Sequence, residues 1–192
     1  MDKKEIDQIQ QLVSKVVSNQ MAKFRKPLSS ELSFDKAKPS LQIAIGADHG
    51  GFPMKSELIP FLEKLGYTIK DCGTHSTDSV DYPDFAWAVA KEVSQGFAWR
   101  GIMIDGAGIG SCMTANKVKG VKAAMCYDFA TAVNSREHND ANLLTLGSGL
   151  IGMNQAKLIV ETWLKTEFAG GRHQNRIDKI NQIEQLYFKD GK

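Results

Sequence analysis

The stretch GIMIDGAGIGSCMTANK, residues 101–117, changes pattern twice in a few residues. Gly101 to Ile104 is a short apolar run of the kind that forms a strand buried on both faces. It ends in Asp105, and glycines follow at alternate positions, Gly106, Gly108 and Gly110. From Ser111 the spacing is helical. Strand, glycine loop and helix in that order form the repeating unit of a parallel α/β sheet. The loop sets bare backbone N–H groups beside a carboxylate. Glycine lets a ligand approach the main chain closely, and a helix start favours an anion. Taken alone, such a loop fits a phosphate, an oxyanion or a tight turn. It does not read as a dinucleotide fingerprint, because it opens the third strand–helix unit and no suitable acidic residue ends the next strand.

The same alternation runs through the chain from Leu41 onward. LQIAIGA (41–47), YTIKDC (67–72), GIMID (101–105), VKAAMC (121–126) and NLLTLG (142–147) read as strands. Helical spacing lies near 53–65, 83–95, 111–118, 128–137, 152–167 and 174–188. Five such alternations predict a three-layer α/β/α domain over 41–192 with a five-stranded parallel sheet. Ligands of these sheets sit beyond the carboxyl ends of the strands. That rule selects AIGADHGG, DCGTHSTDSVDYP, IDGAGIGS, CYD and LGSG as site loops.

Residues 1–40 have another character. Ile6, Ile9, Val13, Val16, Val17 and Met21 recur at helical spacing, predicting an amphipathic helix within 1–26. The stretch that follows, 27–40, is rich in Pro and Ser and reads as a linker. This segment carries eight Lys/Arg against five Asp/Glu. A short isolated helix is marginal in water, so it either docks on its own domain, binds another protein or lies on a membrane surface. The whole chain of 192 residues is 42% hydrophobic with a net charge of +2, which gives no reason to propose nucleic acid or an acidic membrane as partner. No apolar run is long enough to span a bilayer. Three cysteines at unrelated spacings, Cys72, Cys112 and Cys126, read as reduced thiols of a cytoplasmic protein.

Four clusters carry chemistry. Asp48 and His49 end the first strand, where an acid beside an imidazole suits hydroxyl or phosphate binding; equally, Asp48 caps the next helix. Asp105 and its glycine loop are the second. The third is Arg136-Glu137-His138-Asn139-Asp140, in which His138 has the right titration range for moving protons between sugar oxygens. The fourth, GGRHQNR (170–176), sets Arg172 and Arg176 one helical turn apart as a two-pronged phosphate clamp. There is no metal-binding HxH or HExxH, no GxSxG elbow and no Walker loop.

ADHGG, DYPDFA, DGAGIG…ANK, REHNDANLLTLGS and GGRHQNRI, in this order and spacing, resemble the family of ribose-5-phosphate isomerase B and the galactose-6-phosphate isomerase subunits. The resemblance covers about 41–187. It implies a Rossmann- or flavodoxin-like domain, a homodimer or homotetramer, and aldose–ketose isomerisation of a sugar phosphate without metal or cofactor. By motif, ribose 5-phosphate would become ribulose 5-phosphate through an enediolate. Asp105, with Gly106, Gly110 and Ser111 around it, and His138 would form the catalytic set, His138 opening the sugar ring. Asp48, His49, Tyr82, Ala107, Gly108, Asn139, Arg172 and Arg176 would bind substrate, the arginines across a dimer interface.

Departures from the family pattern narrow this. Many members carry a cysteine base at the position of Asp105, another branch a glutamate at that of Ser111. Ala107 replaces a common hydroxyl residue, and Gly149 a common phosphate-binding arginine. Asp105 and Gly149 are closer to one galactose-6-phosphate isomerase subunit, so such a subunit, or a sugar-phosphate-binding protein with impaired catalysis, are the alternatives. The 1–26 helix and its linker resemble the encapsulation peptides of bacterial microcompartments, which implies a shell protein as partner.

Overall fold

The computed structural model describes residues 41–187, which lie within the compact unit Pro39–Lys192. The helix expected over 1–26 and the linker 27–40 lie outside the described residues. The strands are β1 (Gln42–Ala47), β2 (Thr68–Asp71), β3 (Arg100–Asp105), β4 (Ala123–Met125) and β5 (Leu143–Gly147). The helices are α1 (Phe52–Lys64), α2 (Tyr82–Ser94), α3 (Ile109–Ala115), α4 (Phe129–Glu137), α5 (Met153–Lys165) and α6 (Gln174–Tyr187), the last preceded by a 3-10 turn, Gly171–His173.

All strand pairs are parallel, in the order β2-β1-β3-β5-β4. The three-layer architecture is the expected one. Its last two strands sit in the reverse of the 2-1-3-4-5 order of flavodoxin: the chain leaves β3, forms the edge strand β4, and returns to fill the place beside β3 with β5. Right-handed crossovers put α2 and α3 on one face and α1, α4 and α5 on the other.

The central strands β3 and β5 are buried along their whole length, and β1 from Ile43 onward. On one face Ile43, Ile45, Ile102, Ile104, Leu144 and Leu146 meet α1 through Leu58 and Leu62, and α5 through Ile159, Val160 and Trp163. The other face is built from small residues. A Cβ on Gly46 or Gly101 would lie 2.7 or 2.8 Å from the Val89 methyls, so glycine lets α2 seat directly on the sheet.

The register decides where the site forms. Ala47 stands opposite Ile104 and Asp105 opposite Gly147. The loops after β1, β3 and β5 therefore leave the sheet side by side. Gly51 and Gly147 allow this: a Cβ on Gly51 would come 2.3 Å from the Ile104 carbonyl oxygen, and one on Gly147 2.6 Å from that of Ala107.

Candidate functional site

Asp105 is buried, and its carboxylate turns back into its own loop. Oδ1 accepts from the N–H groups of Ala107, at 2.8 Å, and Gly108. Oδ2 accepts from the N–H and the hydroxyl of Ser111, at 3.0 and 2.5 Å. Four donors fill the lone-pair directions of the group. Gly108 takes φ +78, a left-handed conformation natural to glycine, and the helix starts two residues earlier than the spacing predicts. Two of the loop's five N–H groups, Ala107 and Gly108, thus serve Asp105. Those of Gly106, Ile109 and Gly110 meet no acceptor among the described residues.

The neighbouring loops are tied to this one. Ser148 donates its hydroxyl to Gly50 O and Asp105 O, at 2.9 and 3.1 Å, and its N–H to Asp105 O at 2.8 Å. Gly149 N–H donates to Gly106 O. Asp48 is buried, and Oδ1 accepts from Gly51 N–H at 2.8 Å; Gly51 is itself the N-cap of α1, so Asp48 closes the turn before the helix and does not cap it. His49 Nδ1 lies 3.2 Å from both Val80 N and Val80 O, which holds the ring against the loop leading to α2. Tyr82 opens α2 with its ring over Gly110: a Cβ there would be 2.4 Å from Tyr82 Cζ. Asp48, Tyr82 and the 105–111 loop form one cluster, with His49 at its edge.

His138 and Asn139 belong elsewhere. α4 runs from the carboxyl end of β4 back to the amino end of β5, and His138 is its C-cap. The length of β5, about 13 Å at the usual rise, separates the two ends of the sheet. In a single chain His138 therefore lies at the opposite edge from Asp105. The sequence groups them in one site; the crossover topology divides them.

A second cluster forms around His138. Its ring stacks on that of His173, with centroids 4.1 Å apart and planes 6° from parallel. Arg172 Nε donates to His173 Nε2 at 3.4 Å, which leaves the proton of a neutral His173 on Nδ1, a buried atom without a partner. Burial first, then the neighbouring His138, Arg172 and Arg176, hold the His173 pKa below its ordinary value. Arg172 and Arg176 are exposed. From within, Arg136 pins the turn after α4, donating to Asp140 Oδ1 at 2.9 Å, Ala141 O at 2.5 Å and Thr166 O at 3.3 Å. A groove of about 790 Å³ opens beside this second cluster, between β4, α4 and α6, lined in part by Asn134, Asn139 and Glu184. It does not reach the Asp105 loop.

Cys112 Sγ donates to Ala123 O at 3.4 Å, towards β4, and burial raises its pKa. Among the described residues no group of three or more His, Cys, Asp or Glu is placed to hold a metal ion, and no helix is long and apolar enough to cross a membrane.

Ser148, His173 and Asn134 were missed in the sequence. Ser148 stands in LGSG, one of the loops selected by the carboxyl-end rule, and Asn134 precedes His138 by four residues on a helix, so both had a signal.

The sequence and the fold are similar to those of known proteins. A family model described as Ribose/Galactose Isomerase matches residues 43–180. The chain is 43% identical over 144 residues to ribose-5-phosphate isomerase B of Escherichia coli, covering 75% of this chain and 97% of that one. It is 44% identical over 146 residues to the putative sugar phosphate isomerase YwlF of Bacillus subtilis, covering 76% and 98%. The structure of ribose-5-phosphate isomerase B from Clostridium thermocellum is similar with a TM-score of 0.75 and 52% identity, over 77% of this chain and 99% of that one.

Proposed function

The chain belongs to the ribose/galactose isomerase family, and on that premise we propose how its residues work: it is an aldose–ketose isomerase of a sugar phosphate, taking ribose 5-phosphate to ribulose 5-phosphate through an enediolate. One observation carries the reading. A buried carboxylate, Asp105, and three unpartnered N–H groups, Gly106, Ile109 and Gly110, share one loop at the carboxyl edge of the sheet. An enediolate needs a base and an oxyanion cradle on neighbouring residues.

Because the two clusters lie at opposite edges of the sheet, each complete site takes its loops from one chain and His138, Arg172 and Arg176 from a second copy. A homodimer is the smallest assembly with whole sites. His138 Nε2 gives its proton to the ring oxygen as the C1–O bond breaks and takes the proton of the anomeric hydroxyl in the same concerted step, so the imidazole stays neutral and the C1 carbonyl is left. Asp105 then takes the proton from C2, and the electrons move to the C1 oxygen, which the three N–H groups hold. Returning the proton to C1, with transfer of the O2 proton to O1, completes the ketose. Asp48 and Tyr82 position the sugar, Asn139 stands beside His138, and His49 joins the arginines on the phosphate. For Asp105 to act as base, the Ser111 hydroxyl must rotate off Oδ2.

The test is turnover of ribose 5-phosphate by wild type and Asp105→Asn; equal rates would remove Asp105 from the mechanism. The saturated Asp105 carboxylate also supports a second reading, a subunit that binds a sugar phosphate without turnover. Ligand binding by wild type with no product selects it, and the same substrate series with galactose 6-phosphate tests the subunit alternative.

The extension 1–26, joined by the 27–40 linker, is read as an encapsulation peptide for a microcompartment shell protein. Its support is the apolar stripe from Ile6 to Met21. Removing residues 1–40 should leave turnover intact and abolish retention in a reconstituted shell; unchanged retention rejects the idea.

A further inference from the structure

We infer that Asn134 is a positioning residue that fixes the protonation pattern of His138, an inference that deepens the ring-opening role proposed above and rests on it. A main-chain carbonyl fixes the orientation of both amides. Asn139 Nδ2 lies 3.1 Å from Asn134 O, an atom that can only accept, so this end of the Asn139 amide is its NH2. The same NH2 lies 3.0 Å from the side-chain oxygen of Asn134, Oδ1, which must therefore be the accepting end. The donating end, Asn134 Nδ2, then faces His138 Nδ1 at 2.8 Å. A ring nitrogen that accepts carries no proton, so neutral His138 bears its proton on Nε2.

The rest of the surroundings agree. His138 N–H donates to the same Asn134 carbonyl at 3.1 Å, which holds the backbone of the ring's own residue. One ring face is covered by His173, with Arg172, Arg176 and Glu137 as the charged neighbours of His173. Nothing among these accepts a proton from His138 Nδ1. Nε2–H is thus the group presented to a substrate, a donor ready for the ring oxygen. The i,i+4 spacing of Asn134 and His138 on α4 makes the pair local. Asn134 is exposed, so replacements there leave the core intact.

Two substitutions separate positioning from support. Asn134→Asp keeps the shape and can only accept, so it calls for a proton on Nδ1. Asn134→Leu removes the contact without reversing it. A purely structural Asn134 ranks Asp above Leu; a positioning Asn134 ranks Leu above Asp. The full chain is labelled with 15N-histidine and read at about pH 8, above the ordinary histidine pKa, with His138 assigned by its loss in His138→Gln. Wild type should show the Nε2–H form, and Asn134→Asp the Nδ1–H form. With ribose 5-phosphate, kcat should fall roughly a hundredfold in Asn134→Asp and less in Asn134→Leu, with KM little changed. An Nδ1–H form in wild type, an unchanged form in Asn134→Asp, or a kcat in Asn134→Asp at or above that of Asn134→Leu overturns the inference. If wild type turns over no ribose 5-phosphate, the isomerase reading fails instead, while the NMR result still decides the proton's place.

Discussion

Ser111 gives both its backbone N–H and its hydroxyl to a single oxygen of Asp105, Oδ2. The first bond is part of the fold, since it ties the start of α3 to the end of β3. The second can be released by rotation about one bond. Ser111→Ala removes only the second and should leave kcat for ribose 5-phosphate at or above wild type, at a cost of about 1 kcal/mol in stability. Asp105→Asn puts an NH2 where N–H groups already point. It should lower kcat roughly a hundredfold or more and destabilise by about 2 kcal/mol. Steady-state kinetics and chemical denaturation of both variants check this; an equal loss of kcat in the two would mean that Ser111 is itself needed for turnover.

Tyr82 and Gly110 are matched by contact. The Cβ of Gly110→Ala would overlap the Tyr82 ring, so the variant should push the ring off the loop and raise KM about three- to tenfold for a contact of this size. In the Tyr82→Ala background the same change should cost almost nothing. Additive losses in the double variant would show that Gly110 acts through something other than Tyr82.

The proposed division of the site between two chains predicts the result of a mixing experiment. Alone, Asp105→Asn and His138→Gln should each keep at most about a hundredth of wild-type turnover. Co-refolded together, half the dimers are mixed and each holds one intact site, so about a quarter of wild-type activity should return. No recovery would place both residues in a site built by one chain.

How much of this was legible in the sequence depends on range. The buried strands announce themselves as apolar runs, and Ile43, Ile45, Ile102, Ile104, Leu144 and Leu146 all face the core as the alternation of side chains requires. Asp48 and Asp105 could be placed at strand carboxyl ends from the same runs. His138 could not, because its end of the sheet follows from α4 running antiparallel to the strands, and the reversed positions of β4 and β5 are set by packing between distant segments. The orientation of the Asp105 carboxylate was also hidden: Ser111 follows it by six residues, and only the turn at Gly108 closes that distance. Residues 1–40 remain a sequence-based expectation.

His173 makes stability depend on pH. Burial and its basic neighbours keep it neutral in the folded chain at a pH where the unfolded chain takes up a proton. Its contribution is complete above the ordinary histidine pKa of about 6.5 and is lost as the pH falls through that value towards the folded one. His173→Gln should therefore lose less Tm than wild type between neutral pH and mild acid. A parallel fall in both proteins would assign the acid sensitivity to other groups.

The central claim is tested most directly by incubating the purified full-length protein with ribose 5-phosphate in D2O and following the sugar by NMR. The account predicts ribulose 5-phosphate with deuterium entering at C1, as a proton passed through an enediolate and a solvent-exchanging carboxyl group requires. Ribose 5-phosphate recovered unchanged and undeuterated, from a protein that binds it, would contradict it.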